Sequence, residues 1–137
     1  MRALPIRQSS TSPTESFDID DVRVSLKSLM GRLVGVERNA EGLQKAADTI
    51  RSYAAYAMNH QFQDEPGWEL QNLLTTAAIM VSSALVRTES RGVHFRSDYP
   101  VPDDENWRRH LNVQINVDGG YPQPGPLLKP APISAAQ

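Results

Sequence analysis

Apolar side chains recur every three or four positions through most of residues 18–86, which is the period of a helix with one buried face. The pattern divides into three segments. The first follows Asp18, whose carboxylate suits a helix N-cap, and Gly35 marks its end. Its apolar face is formed by Val22, Leu26, Leu29, Met30 and Leu33.

Two further segments follow the same period. Asn39 suits the N-cap of the second helix, whose apolar face comprises Leu43, Ala46, Ala47, Ile50, Tyr53, Ala54, Ala57 and Met58. Pro66 fits the first turn of the third helix, whose broad apolar face comprises Leu70, Leu73, Leu74, Ala77, Met80, Val81, Ala84 and Leu85. The pattern therefore predicts an all-α fold, an antiparallel, spectrin-repeat-like three-helix bundle with the third helix most buried.

The period changes after the helices. Residues 111–117 alternate strictly between apolar and polar, which predicts a short half-buried strand that needs a partner. Residues 1–17 are rich in serine and proline and predict a disordered linker or tail, while residues 112–137 predict an extended, proline-rich tail. The folded domain is therefore expected at residues 18–111.

The composition excludes several classes of protein. The chain has 137 residues and no cysteine, so we expect one domain without disulfides, a thiolate nucleophile or a cysteine-ligated metal. The longest apolar run, Ala77 to Val86, is shorter than the roughly 20 residues of a membrane span, and Met1 to Ser16 lacks the apolar core of a secretory signal. A cytoplasmic protein without a membrane partner is the expectation.

Charged and aromatic side chains gather directly after the third helix. The positive residues there are Arg87, Arg91, Arg96, Arg108 and Arg109, and the negative ones are Glu89, Asp98, Asp103, Asp104 and Glu105. Phe95, Tyr99 and Trp107 lie among them, as in a groove that stacks bases. Because the charges balance and the whole chain carries a net charge of -2, the pattern favours internal ion pairs or a protein interface over nucleic acid.

Catalytic and metal sites are not expected. His60, His94 and His110 are too far apart for helical ligand spacing, so no metal site is predicted. Ser90 and His94 lack the strained turn and third group of a nucleophilic pair, and the Ser90 hydroxyl is expected to bond to the end of the third helix. The acidic residues before Trp107 predict a capped helix start. We assign no catalytic, cofactor-binding or metal-ligating residue.

The same stretch contains the ordered motif Glu89-Ser90-Arg91-Gly92-x-His94-x-Arg96-x-Asp98-Tyr99-Pro100, followed by Asp103-Asp104-x-Asn106-Trp107. It resembles the C-terminal signature of the flavoprotein superfamily that contains L-aspartate oxidase and the flavoprotein subunits of succinate dehydrogenase and fumarate reductase. An upstream segment resembles the first helix of the same domain, and its sequence is closer to that of L-aspartate oxidase. It consists of Asp21-Val22-Arg23-x-Ser25-Leu26-x-Ser28-Leu29-Met30 and Val34-Gly35-Val36-Glu37-Arg38. The resemblance covers roughly residues 20–111, and Gly31 departs from it where a bulky aromatic residue is expected.

The resemblance implies the C-terminal helical domain of an FAD-dependent enzyme that oxidises L-aspartate to iminoaspartate in de novo NAD biosynthesis, with quinolinate synthase consuming the product. FAD would be held by the flavin-binding and capping domains, so this chain is expected to bind none and to be inactive alone. The implied domain-interface residues are Glu89, Ser90, Arg91, His94, Arg96, Asp98, Tyr99 and Trp107. The alternatives are the same domain of a succinate dehydrogenase or fumarate reductase flavoprotein subunit, or a free-standing helical interaction module.

Overall fold

The structure, a computed structural model, describes residues 18–58, 62–111 and 113. Its elements in chain order are α1 (Ile19–Leu33), β1 (Glu37–Arg38), α2 (Ala40–Met58), α3 (Glu65–Val86), β2 (Phe95–Arg96) and α4 (Asp104–Trp107). The predicted helical bundle is confirmed, and it is accompanied by a short two-strand sheet at other positions than the predicted strand. The predicted tail at 1–17 lies outside the described residues, as do the predicted strand at 111–117 and the tail at 112–137 except for positions 111 and 113.

The long helices begin where the sequence predicts. Asp18 accepts hydrogen bonds from two amides in the first turn of α1. The Asn39 side chain accepts from the Gly42 amide at 2.7 Å, and the Asp64 side chain accepts from the Gly67 amide at 3.2 Å. Because the first amides of a helix have no partner within the helix, these side chains fix where each helix starts.

The hydrophobic core lies between the three long helices, each of which packs against the other two. Its buried members are Leu26, Leu29, Val34, Leu43, Ala46, Ile50, Ala57, Leu70, Leu74, Ala77, Val81 and Ala84. The α2–α3 interface is the most extensive of the three, and α3 contributes Leu70, Leu74, Ala77, Val81 and Ala84 to the core. Met80, placed on the buried face by the pattern, is exposed.

A close contact sets the entry into α3. The Phe62 side chain lies against Gly67, where an added Cβ would stand 2.4 Å from the Phe62 Cβ. The Trp68 indole also donates to the Phe62 carbonyl at 3.2 Å. Glycine at this helical position is therefore explained by packing, which offsets its poor helix propensity.

The two strands, which the sequence did not predict, bring distant segments together. They pair in parallel, with Glu37 opposite Phe95 and Arg38 opposite Arg96. The pairing continues in a hydrogen bond from the Ser97 amide to the Arg38 carbonyl at 2.9 Å. As a result, the connection between α1 and α2 lies beside the segment that follows α3.

By length and composition, α3 meets the criteria for a membrane span, with a mean hydropathy of 1.2 over an 18-residue window. Counting consecutive apolar residues did not reveal this, because polar residues interrupt the apolar ones. The core helix of a soluble protein meets the same criteria, and α3 supplies five of the core residues named above. The absence of a membrane partner and the cytoplasmic location stay predictions.

Candidate functional site

Paired charged side chains gather where α3 ends and β1, β2 and α4 approach one another. We call this set the arginine cluster, and its members are Arg38, Arg87, Glu89, Ser90, Arg91, His94, Arg96 and Asp98. A tight turn shapes it, because the backbones of Arg91 and His94 exchange two hydrogen bonds of 2.8 and 3.0 Å. Gly92 within the turn has a φ of 58°, a left-handed conformation that favours glycine.

Arg96 caps the end of α3 with its side chain. It is buried, with 1% of its surface exposed. Its Nη1 donates to the carbonyls of Ala84 at 3.2 Å, Leu85 at 2.9 Å and Arg87 at 3.3 Å. The last carbonyls of a helix lack partners within the helix and carry the negative end of its dipole. A buried guanidinium therefore satisfies both the hydrogen bonds and the charge of this terminus.

Asp98 continues the link from α3 to α2. Its carboxylate accepts two parallel bonds from Arg96, of 2.9 and 2.5 Å, and a third from the Ala40 amide at 2.9 Å. Ala40 is the first residue of α2, so the carboxylate also meets the positive end of that helix. The bonds from Arg96, opposed by burial and helped by the Ala40 amide, lower the pKa of Asp98 to about 2.

Glu89 is a fully buried carboxylate with four donors. One oxygen accepts from Arg87 at 2.5 Å and from Arg91 at 2.9 Å. The other accepts from Arg91 at 3.0 Å and from the Asp103 amide at 2.8 Å. Burial acts to raise the pKa of Glu89, but the bonds from Arg91, the Asp103 amide and Arg87 outweigh it and lower the pKa to about 2. The buried charge is therefore fully compensated.

Two arginines extend the cluster to α4. Arg91 bonds to Asp104 as well as to Glu89, and these carboxylates raise the pKa of Arg91 above its usual value. Arg87 donates to the Trp107 carbonyl at 3.0 Å, and its guanidinium lies 5.4 Å from the centre of the Trp107 ring. The short helix α4, whose capped start before Trp107 was predicted, is thereby fixed against the end of α3.

His94 connects the end of α3 with β1. Its Nδ1 lies 3.0 Å from Arg38 Nη1, and its Nε2 lies 3.3 Å from the Arg87 carbonyl. A guanidinium can only donate, so Nδ1 accepts the hydrogen bond and Nε2 carries the proton. The His94 ring is therefore a neutral imidazole. Burial chiefly lowers the pKa of His94, and the nearby arginine charges add to this, while the bond to the Arg87 carbonyl opposes it. Arg38 also donates to the carbonyls of Val34 and Gly35 after α1.

The Ser90 hydroxyl does not bond to the helix end, so that expectation is wrong. It donates to the Tyr99 carbonyl at 2.7 Å and accepts from the Arg96 amide at 2.8 Å, because the chain has turned away from α3 before position 90. The His94 ring is bonded elsewhere, so the two do not form a nucleophilic pair. Within residues 18–58, 62–111 and 113, no group of three or more acidic, histidine or cysteine side chains could hold a metal.

The eight predicted interface residues do come together at this end of the bundle. Glu89, Ser90 and Arg96 are buried and bonded within the chain, while Asp98 and Tyr99 are more exposed. Their docking role stays a prediction. Among the described residues, the one buried side-chain nitrogen or oxygen without a partner belongs to Arg23, outside the cluster. The cluster's buried polar atoms are therefore satisfied inside this chain.

Sequence reasoning did not name Arg38 or Arg87 as site residues. Arg38 bonds to a histidine 56 positions further along the chain, and no local spacing reports that contact. Arg38 could have been found only from its position in the segment Val34-Gly35-Val36-Glu37-Arg38, which resembles the family. Arg87 was noted only as part of a balanced run of charges, for which internal ion pairs or a protein interface were predicted. Arg87, Arg91 and Arg96 do form ion pairs within the chain, and the interface stays a prediction.

The chain matches a known protein family. Residues 23–123 match the family described as the fumarate reductase flavoprotein C-terminus. The match begins within α1, extends past α4 and includes the whole arginine cluster.

The chain is also similar to individual proteins of known name. The chain is 36% identical over 122 residues to L-aspartate oxidase of Streptomyces coelicolor, a match covering 84% of this chain and 21% of that protein. It is 33% identical over 99 residues to the fumarate reductase flavoprotein subunit of Helicobacter pylori, covering 66% and 14%. A chain of the Mycobacterium smegmatis Sdh1 complex in the apo form superposes with a TM-score of 0.62 at 30% identity, covering 81% and 20%. The chain thus spans about a fifth or less of the length of these relatives.

Proposed function

The chain belongs to the fumarate reductase flavoprotein C-terminal family, and from that premise we propose that it is the C-terminal helical domain of an L-aspartate oxidase. The family consists of FAD-dependent oxidoreductases in full-length form. In this proposal the whole enzyme oxidises L-aspartate to iminoaspartate for NAD biosynthesis, and quinolinate synthase takes the product. The chain contributes structure to that enzyme and performs no chemistry by itself.

The similarity to L-aspartate oxidases carries the proposal. Besides the 36% identity to the Streptomyces protein, the chain is 40% identical over 78 residues to L-aspartate oxidase of Rhodospirillum rubrum. The fumarate reductase subunit of Helicobacter pylori and the succinate dehydrogenase subunit of Rickettsia conorii stand at 33% and 31%. The succinate dehydrogenase flavoprotein subunit of Rickettsia bellii aligns over a similar length, 123 residues against 122 for the Streptomyces oxidase, but at 32% identity. The higher identity, rather than the alignment length, therefore favours the oxidases.

The arginine cluster does not fit a flavin site. Its guanidinium and carboxylate groups bond to one another and to helix ends, so buried donors are not left over for a phosphate or an isoalloxazine ring. We therefore assign FAD to the flavin-binding and capping domains of the full-length enzyme. The cluster's role is to hold the ends of α1, α2 and α3 and the turn after α3 as one rigid unit.

Reconstitution with a relative tests the assignment. The Streptomyces oxidase is truncated before the segment that matches this chain, and the 137-residue chain is added to it in trans. We expect L-aspartate to reduce the bound flavin again, whereas this chain alone contains no flavin and shows no turnover. A stoichiometric flavin absorbance in the purified 137-residue chain would contradict the proposal.

A second candidate is the same domain of a succinate dehydrogenase or fumarate reductase flavoprotein subunit. The superposition on the Mycobacterium smegmatis complex supports it. The Helicobacter flavoprotein subunit, truncated in the same way, provides the parallel assay with fumarate. Restoration of fumarate reduction alone would favour this candidate over the oxidase, and restoration of neither activity would favour a free-standing interaction module.

A further inference from the structure

Exposed apolar side chains concentrate around the arginine cluster. Of eleven exposed large hydrophobic residues in the described part of the chain, six lie here, and we call them the apolar rim: Val36, Val86, Val93, Phe95, Tyr99 and Val101. The other five are spread over the three long helices and position 113. Single exposed apolar residues are normal on a soluble protein, but a concentration at one end indicates an interaction surface.

The strand pair points to the same surface. Parallel strands occur almost entirely in sheets whose two faces are covered, and two strands alone are marginally stable. On one face of this pair Arg96 is buried against the end of α3. On the other face Phe95 lies opposite Glu37, and both are exposed. The outer face of the β1–β2 pair therefore has no cover among the described residues.

The two buried charges behind the rim, Glu89 and Arg96, are not available to a partner. Glu89 has four donors, and Arg96 is bonded to Asp98 and to three carbonyls. A partner surface would therefore meet mainly the apolar rim, with the exposed Glu37 and the partly exposed Arg91 beside it, rather than Glu89 or Arg96. Domain interfaces with an apolar centre and few charges have this composition.

We propose that the apolar rim, rather than the arginine cluster behind it, is the surface on which this chain docks against the flavin-carrying part of the enzyme. The inference rests on the proposed function, in which that part is the remaining four fifths of a protein of the length of the Streptomyces oxidase. The occupant is an apolar patch of that larger part. The cluster acts indirectly, because it fixes the turn that carries Val93 and the strand that carries Phe95.

Charge insertion in the rim, compared with the same change elsewhere, tests the inference. Val93→Asp and Phe95→Asp are added in trans to the truncated Streptomyces oxidase, with Val24→Asp on α1 as the matched control. Val93 is 93% exposed and Val24 is 66% exposed, so neither loses core contacts in this chain. We expect the chain concentration for half-maximal flavin reduction to rise at least about tenfold for each rim variant and to stay unchanged for Val24→Asp.

Thermal unfolding of each isolated variant separates docking from folding. Val93→Asp should keep the wild-type midpoint, so its weaker reconstitution would report the interface alone. Wild-type reconstitution by Val93→Asp, or equal weakening by Val24→Asp, would overturn the inference.

The oxidase assignment and the rim are judged separately. If the wild-type chain restores activity only to the truncated Helicobacter subunit, the oxidase assignment is rejected. The same three variants, assayed with that subunit, then test whether the apolar rim is the docking surface. If the wild-type chain binds neither truncated flavoprotein in a direct binding measurement, the docking surface falls as well.

Discussion

The helical bundle and the arginine cluster stabilise the same chain by different means. In the bundle, aliphatic side chains from α1, α2 and α3 fill the space between helices, and each contributes roughly in proportion to the area that it buries. In the cluster, Glu89 and Arg96 are as deeply buried as any leucine, yet their contribution depends on every donor having an acceptor.

This difference predicts how each region responds to damage. A smaller side chain in the core leaves a cavity that neighbours partly fill, and the loss is graded. Removing one member of a buried ion pair leaves the other charged and unpaired in a place that water cannot reach, and the loss is abrupt. Substitutions in the two regions should therefore differ in size, in pH dependence or in both.

The largest loss is expected from Arg96→Met. The substitution leaves three carbonyls at the end of α3 without donors, and it leaves Asp98, which is 29% exposed, without its partner. The free energy of unfolding in urea should therefore fall by about 3–5 kcal/mol, chiefly through the unsatisfied carbonyls. Arg51→Met is the control, because the Arg51–Asp48 pair is 56% exposed on both sides and should contribute less than about 1 kcal/mol. Equal losses of unfolding free energy in the two variants would show that the ion pairs of the cluster contribute no more than an exposed ion pair.

Acid should weaken the cluster specifically. The pKa of Glu89 is lowered from 4.5 to about 2, so its contribution to stability is complete above pH 4.5 and is lost as the pH falls towards 2. Urea midpoints measured between pH 5 and pH 2 should therefore fall more for the wild type than for Glu89→Gln, which lacks the titrating group. Glu41→Gln, an exposed change in the first turn of α2, should retain the wild-type dependence.

Two glycines sharpen the comparison within the bundle. Gly67→Ala places a methyl group against Phe62 and should lower the free energy of unfolding by about 1–3 kcal/mol. Gly31→Ala meets no atom within 4 Å and should raise it by up to about 1 kcal/mol, because alanine is the better helix former. Thermal or urea unfolding would show the opposite signs, and a loss at Gly31 would contradict the packing described for α1.

The smallest effect is expected from His94 near neutral pH. Its pKa is lowered from 6.5, so the neutral ring stabilises the fold above pH 6.5, and this contribution is lost as the pH falls through the lower folded value. A protonated ring would also face Arg38, Arg87 and Arg96. The urea midpoint of the wild type should therefore fall between pH 7.5 and 5, with a flatter dependence in His94→Gln and an unchanged one in His110→Gln.

The helices could be predicted in detail because their signals are local. The caps at Asp18, Asn39 and Asp64 lie within three residues of the amides that they bind. The two-residue strands could not be predicted, because so short a segment has no period of its own. Met80 was misplaced for a related reason: a helical stripe shows which residues share a face, but it does not show how wide the covering neighbour is.

The order of residues by itself determined the three amphipathic helices, their starting points and the motif that identifies the family. Each depends on neighbours within one or two helical turns, or on a match between sequences. Only the tertiary structure decided that Arg96 closes α3, that Asp98 joins it to α2, and that Arg38 and His94 meet across 56 positions of chain. In the unfolded chain a guanidinium can meet many different carboxylates and carbonyls. Only the packing of the helices holds one set of these acceptors within hydrogen-bonding distance of it.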